Sequence, residues 1–315
     1  MRPILPTLLA QIIDRSSSFL LATHEGPDGD AVGSLLGLGH ILRSWGKEVF
    51  VFFPHPLEAK YDALAAGLPS LHAPPANPAS FTLAILDAGG RERVPLSLEG
   101  YRGMISIDHH PGSDLPADFS WCEPKASSTG EILASLFLDE INIPQQACAC
   151  WYYAILADTN GFQFPNTSAR TLELAARLVS KGAHPDQLAN LFFNRWSERD
   201  IRYFARAMSS LECLEGMACA CLPFESGVGE EYDSDILMNE WRRWPDPIVY
   251  ALFKETEPQH FKVSLRSHGT VDVSQVARLF HGGGHAAASG CRLEGDYRQV
   301  QQRLLEAFRE LLKDA

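Results

Sequence analysis

At 315 residues, with 45% hydrophobic and 21% charged residues, the chain has the composition of a water-soluble globular protein, long enough for one large domain or two ordinary ones. Its formal net charge of −12 comes without a basic stripe, which argues against a protein that tracks long nucleic acid through its phosphates. The 7 cysteines, an odd number scattered without a secretion signal, fit a reduced cytoplasmic protein, and no apolar run reaches the length of a membrane span.

In chain order, Ile4, Leu8, Leu9, Ile12 and Ile13 mark an amphipathic helix, and Phe19 to Ala22 a first strand. The turn that follows carries His24, Asp28 and Asp30 among Gly26, Pro27, Gly29 and Gly33, and leads into a helical pattern through Val32, Leu35, Leu36, Ile41 and Leu42. Asp28 and Asp30 are two apart, so on an extended backbone their carboxylates leave the same side. Carboxylates held so close repel unless a cation lies between them. One divalent metal or a pair is the simplest such cation, and a His–Asp set suits Mn, Fe or Zn.

Glu48 to Phe53 reads as a second strand, Leu57 to Ala66 as a short helix, and 68–80, with Pro69, Pro74, Pro75 and Pro78, as a loop. Two more apolar strands follow: Thr82 to Leu86, ending at Asp87, and Met104 to Ile107, ending at Asp108, His109 and His110. Strands alternating with helical patterns imply an α/β fold with a mainly parallel sheet and helices on both faces, whose strand ends lie along one edge. Ser128 opens a helix, as a cap or as part of a phosphate-binding N-terminus. A helix from Ala147 delivers Asp158. The Cys148/Cys150 and Cys219/Cys221 pairs lie in apolar segments and lack zinc-ribbon spacing, so core packing is their role.

Beyond an Arg-rich helix starting at Ser197 the pattern changes to a smaller α+β region. Its strands are expected at 217–222, 248–254, 260–266 and near Cys291, and its helices at 273–280 and 297–312. An acidic loop covers 227–232, and Gly282 to His285 form a glycine turn. The expected division is 1–194, a helical connector at 195–213, and 214–315, with the active site in the cleft between the domains.

Taken together, His24-x-x-x-Asp28-x-Asp30, Asp87, Asp108-His109-His110, Asp158 and the run Gly282-Gly283-Gly284-His285 to Ser289-Gly290 resemble the motifs of DHH-family phosphoesterases and their associated C-terminal domain. The segments around Asp87 with Arg93, Asp158 with Phe162, and Lys262 to Ser267 are most similar to the branch that degrades very short oligoribonucleotides and dephosphorylates adenosine 3′,5′-bisphosphate. The resemblance implies two divalent metal ions, manganese favoured. His24 and Asp28 would hold one, Asp30, His109 and Asp158 the other, and Asp87 would bridge both. It makes His110 the residue facing the phosphate, gives Asp108 the orienting of a histidine, and places Arg93, Ser128, Arg266, Gly283, Gly284 and His285 at the substrate.

The chain departs from the branch at His281, where a further glycine is usual, and at Ala88, where threonine or cysteine often follows the aspartate. The implied partners are short RNA, dinucleotides and nucleoside bisphosphates, not long duplexes or membranes, with a homodimer left open. The rival readings are a cyclic- or linear-dinucleotide phosphodiesterase, a pyrophosphatase, a RecJ-type exonuclease, and a nucleotide- or RNA-binding module without catalysis.

Overall fold

The computed structural model describes residues 5–112, 115–140, 142–193, 196–229, 232, 234–268 and 271–313, with His285 and residues after 311 described in backbone only. The chain divides into two units, Met1–Arg195 and Trp196–Ala315. The first is organised on strands β1 (Ser18–Ala22), β2 (Glu48–Phe52), β3 (Ser70–Leu71), β4 (Thr82–Leu86), β5 (Gly103–Asp108) and β6 (Phe119–Cys122). They lie in the order β3-β2-β1-β4-β5-β6, and every neighbouring pair is parallel. β3 falls within the segment expected as a proline-rich loop; β6, rich in aromatics but only four residues long, was not legible as a strand.

The helices of this unit are α1 (Thr7–Arg15), α2 (Gly29–Ser44), α3 (Asp62–Ala65), α4 (Thr129–Phe137), α5 (Gln145–Asp158), α6 (Ala169–Ser180) and α7 (Pro185–Phe193). All of them contribute to one core, against the sheet face carrying Phe19, Leu21, Val49, Val51, Ala84, Leu86, Ile105 and Ile107. The other face, with Leu20, Ala22, Leu83, Ile85 and Met104, is covered by Val94, Leu98 and Leu115 from irregular connections. The expected parallel sheet is present, but among the described residues its α-helices form a layer on one face only. Pro95, Gly100, Pro111 and Gly112 interrupt the segments after β4 and β5, where a helix on the second face would have to form.

Close contact between α2 and α5 fixes the geometry below the strand ends. Gly29, Gly33 and Gly37 fall on one side of α2. A methyl added at Gly33 would lie 2.5 Å from the Cys150 carbonyl oxygen, and one at Gly29 2.5 Å from Ala157 Cβ. Glycine alone permits this approach, and it brings the C-terminal end of α5, with Asp158, near the start of α2, with Asp30.

The second unit holds β7 (Glu212–Leu214), β8 (Met217–Leu222), β9 (Val249–Glu257), β10 (His260–Ser267), β11 (Gly283–His285) and β12 (Ala288–Glu294). Their order is β11-β12-β10-β9-β8-β7, antiparallel except for the β8–β9 pair. Alternation along β8 sends Cys219 and Cys221 to a core shared with α10 (Val273–Leu279) and α11 (Tyr297–Lys313). Ala218 and Ala220 face α8 (Glu198–Ser209) and α9 (Asp235–Trp241) instead.

The helix expected to be a connector, α8, is therefore a layer of the second unit, because Tyr203 and Ala207 bury against β8. The glycine run expected as a turn is strand β11, with Gly283 opposite Gly290 and Gly284 opposite Ser289. α9 was not anticipated, and the expected acidic loop at 227–232 lies partly outside the described residues. Among the described residues no helix is long and apolar enough to cross a membrane.

Candidate metal centre

Each acid or histidine of the site comes from the carboxyl end of a parallel strand or from a helix terminus beside one. β1 runs out into buried His24, and Asp28 then caps α2, its Oδ1 accepting the Ala31 N–H at 3.0 Å. Asp30 lies inside the first turn of that helix and is buried. This corrects the extended-backbone expectation for the Asp28/Asp30 pair: helix geometry sends the two carboxylates to different neighbours.

β4 ends at Asp87, a non-glycine residue with φ of 56°. Aspartate is among the side chains that tolerate this left-handed conformation, at a cost of order 1 kcal/mol, and the surrounding turn holds it there. β5 ends at Asp108 and passes into His109 and His110, while Asp158 is the last residue of α5.

These side chains form overlapping groups whose candidate ligand atoms lie within 4.8 Å of one another: His24, Asp28 and Asp87; Asp30, His109 and Asp158; and Asp87, His109 and His110. His109 Nε2 is 3.5 Å from Asp87 Oδ1, 3.7 Å from Asp158 Oδ2 and 3.8 Å from Asp30 Oδ2. Asp87 is common to two of the groups.

The donor set fits divalent cations on two independent grounds. His24 Nδ1 lies 2.9 Å from the Glu25 carbonyl oxygen, so this nitrogen carries the proton; Nε2, with its lone pair, is buried and has no hydrogen-bond partner. The carboxylates also crowd one another. Burial raises the Asp30 carboxyl well above its usual range, Asp87, Asp158 and Asp28 push it further, and the Gly130 N–H opposes them. Burial likewise raises Asp158, to about 6; His109 opposes this, while Asp28 and Asp87 add to it. A buried acid cluster strained by like charge is a site that cations would relieve.

His110 is oriented rather than clustered. Its Nδ1 is 2.9 Å from Asp108 Oδ1, and Asp108 also accepts the N–H of His110 at 2.8 Å and of Gly89 at 2.7 Å. Hydrogen bonds donated to Asp108 and then to Asp87 push the His110 imidazole up to about 10, against burial. Asp108 is 1% exposed, so it acts on His110 and does not itself reach a substrate.

Arg93 lies on the rim. A methyl at Gly89 would meet its Nη1 at 2.8 Å and His110 Cγ at 3.6 Å.

Ser128 takes the capping role. It is fully buried and its Oγ accepts the Glu131 N–H at 3.0 Å. The next two N–H groups are already used, since Thr129 N and Gly130 N donate to Asp30 at 2.7 and 3.0 Å. The expected placing of Ser128 at the substrate is thus corrected: its hydroxyl and the adjacent backbone donors are committed inside the protein.

The sequence reading also missed partners visible here. Thr129 Oγ1 donates to Asp87 Oδ1 at 3.0 Å, Ser34 Oγ to Asp30 at 2.9 Å, and Asn166 Nδ2 to the Asp158 carbonyl at 3.1 Å. The run Ser127-Ser128-Thr129-Gly130 signalled a helix start but not which carboxylates it would serve.

In the second unit, Arg266 is 11% exposed, pairs with Asp235, and donates from Nη1 to the Leu265 carbonyl at 2.8 Å. Gly284 has φ of 134°, and a methyl there would meet the Ala288 carbonyl oxygen at 2.6 Å, so that strand position requires glycine; Gly283 has open space around it. The side chain of His285 lies outside the described residues.

The model of the DHH family N-terminal domain matches residues 18–155, and that of the DHHA1 domain matches residues 234–314. The chain belongs to the DHH family. Over 311 residues, 94% of this DHH chain and 90% of its relative, it is 31% identical to the bifunctional oligoribonuclease and PAP phosphatase NrnA of Thermus thermophilus. It is 26% identical to the protein of the same name from Bacillus subtilis, over 91% of this chain and 93% of that one. An exopolyphosphatase-related protein from Bacteroides fragilis shares the fold, with a TM-score of 0.82 and 23% identity over 97% of this chain and 94% of that structure.

Proposed function

We propose that this DHH protein is a two-metal phosphoesterase that hydrolyses very short oligoribonucleotides to mononucleotides and removes a phosphate from adenosine 3′,5′-bisphosphate. The observation that carries the reading is the pair of ligand groups, His24/Asp28/Asp87 and Asp30/His109/Asp158, with His109 Nε2 of the second 3.5 Å from Asp87 Oδ1 of the first. Full-length similarity to proteins named as bifunctional oligoribonuclease and PAP phosphatase supports the substrate class. The family's associated C-terminal domain supports a nucleotide substrate over pyrophosphate.

In this reading His24 and Asp28 would hold one ion and Asp30, His109 and Asp158 the other, with Asp87 placed to serve both. Bound ions would activate a water and neutralise charge on the phosphoryl oxygens. The chain's own residues do the rest. Asp108 locks His110 through Nδ1, so the other ring nitrogen is the one that can donate to a phosphoryl or leaving oxygen. Arg93 supplies a cation at the rim for a second phosphate or a neighbouring nucleotide. Arg266 would contribute another once it exchanges Asp235 for substrate. Two imidazoles among the ligands favour manganese over magnesium, which prefers oxygen donors.

The test is purified protein with manganese or magnesium and a panel of dinucleotide, longer RNA, adenosine 3′,5′-bisphosphate, cyclic dinucleotide and pyrophosphate. Dinucleotide and bisphosphate should be consumed fastest, with manganese the better ion. Preference for the cyclic dinucleotide would make the protein a cyclic-dinucleotide phosphodiesterase. Equal rates on long and short RNA would replace this reading with an exonuclease on long strands.

A further inference from the structure

Thr129 touches both halves of the acid cluster and lies outside the motif residues named above. It is fully buried at the start of α4, so its hydroxyl has no solvent alternative. That hydroxyl donates to Asp87 Oδ1 at 3.0 Å, while its backbone N–H donates to Asp30 Oδ2 at 2.7 Å. The other groups near Asp87 Oδ1 are less well placed: His109 Nε2 is at 3.5 Å, and His110 Nδ1, at 3.4 Å, is engaged by Asp108 at 2.9 Å. Of these groups, Thr129 makes the shortest contact to that oxygen and is the one best placed to fix the rotation of the Asp87 carboxylate. It is equally placed to fix the spacing of that carboxylate from Asp30, because one residue holds both through bonds about one peptide apart.

We infer that Thr129 is a positioning residue of the metal centre, whose hydroxyl aims the Asp87 carboxylate while its N–H anchors Asp30. The inference rests on the two-metal reading above. A bridging carboxylate has to present its oxygens to two cations at once, and a partner that fixes its torsion before they arrive removes an ordering cost from binding. Hydrogen-bond partners of this kind typically change metal affinity or activity 10–100-fold when removed. Valine matches threonine in shape but lacks the hydroxyl; serine keeps the hydroxyl and loses only a methyl.

The experiment compares wild type, Thr129→Val, Thr129→Ser and Asp87→Asn. Each metal-free protein is titrated with Mn2+ by calorimetry, its melting temperature is measured without metal, and kcat/KM is measured on a dinucleotide. Thr129→Val should bind manganese about 10–100-fold more weakly and lose kcat/KM by a similar factor. Thr129→Ser should restore both. Wild-type Mn2+ affinity in Thr129→Val, or serine as impaired as valine, overturns the assignment. A lower metal-free melting temperature with unchanged affinity also overturns it, as a purely structural role. Asp87→Asn tells the two failures apart. If that variant also binds manganese normally, the two-metal reading is what falls; if it loses the metal while Thr129→Val does not, the inference alone fails.

Discussion

Asp87 is the residue on which the most chemistry converges, and its backbone makes a clean substitution available. Asparagine tolerates the left-handed φ of 56° as aspartate does, so Asp87→Asn should keep the fold while removing the charge shared by two ligand groups. Dinucleotide hydrolysis should fall by at least about 100-fold and the two-ion manganese stoichiometry should be lost, as read by metal analysis and turnover. Normal metal content with normal turnover would remove Asp87 from the site. The same crowding has a pH signature in the metal-free protein. Asp30 and Asp158 are raised, Asp158 to about 6, so their stabilising contribution is complete below the unfolded carboxylate pKa of about 4 and is lost as pH rises through the folded value. His110, raised to about 10, contributes in the same direction at higher pH. The melting temperature of metal-free protein should therefore drop by a few degrees between about pH 5 and pH 8, and saturating manganese should flatten that slope. A metal-free melting temperature that rises across this window would show that the acids do not repel in solution. Most of these ligands were legible because each sits in a short motif at the end of an apolar strand. Thr129 and Asn166 were not, because a hydroxyl that reaches a carboxylate on another strand end, or an amide that holds the backbone carbonyls of Ser127 and Asp158, leaves no local pattern.

At the scale of elements, the site depends on how closely α2 and α5 approach. Glycine to alanine in a helix interior ordinarily stabilises by about 0.5–1 kcal/mol. At Gly33 the sign should reverse, because the new methyl would lie 2.5 Å from a backbone oxygen and 2.9 Å from Ala154 Cβ, neither of which can rotate away. Gly33→Ala should cost about 1–3 kcal/mol, the usual range for overpacking, and should also weaken manganese binding by moving α5 and Asp158 with it. Gly39 is the control on the same helix. Its methyl would meet side-chain tips, those of Leu68 at 3.0 and 3.1 Å and of Leu21 at 3.4 Å, so Gly39→Ala should be near neutral in urea denaturation and metal titration. Equal effects at both positions would dissociate helix contact from the metal site. The Gly29, Gly33 and Gly37 spacing was in the sequence throughout, but it marks a close helix contact only once a partner helix is known. The one-sided helix layer was hidden for a related reason: a connection that covers a sheet face with scattered Val94, Leu98 and Leu115 has no period to detect.

For the whole molecule, the question is where the chain can be cut and what each part retains. Composition separated the mainly parallel first unit from the smaller α+β unit, but it assigned the Arg-rich helix to neither. A single amphipathic helix looks alike whether it links two domains or lies on one, and only the burial of Tyr203 and Ala207 against β8 decides between them. A cut near Leu211 would strip α8 from its sheet, expose that apolar face on one fragment and uncover Ala218, Ala220 and Leu222 on the other. A cut at the boundary of 195 and 196 leaves each core with its own helices. The fragment 1–195 should therefore be soluble, melt cooperatively and bind manganese within about tenfold of the full chain, since every proposed ligand lies within it. Its kcat/KM on a dinucleotide should fall by at least about 100-fold, whereas a chromogenic phosphodiester with no base to recognise should fall by about tenfold or less. The fragment 1–211 should be less soluble and bind the same metal. If 1–195 loses manganese, the second unit supports the metal centre structurally. If it cleaves the dinucleotide as well as the full chain does, nucleotide recognition lies entirely in the first unit, and Arg93, the cation on its rim, becomes the first candidate for that contact.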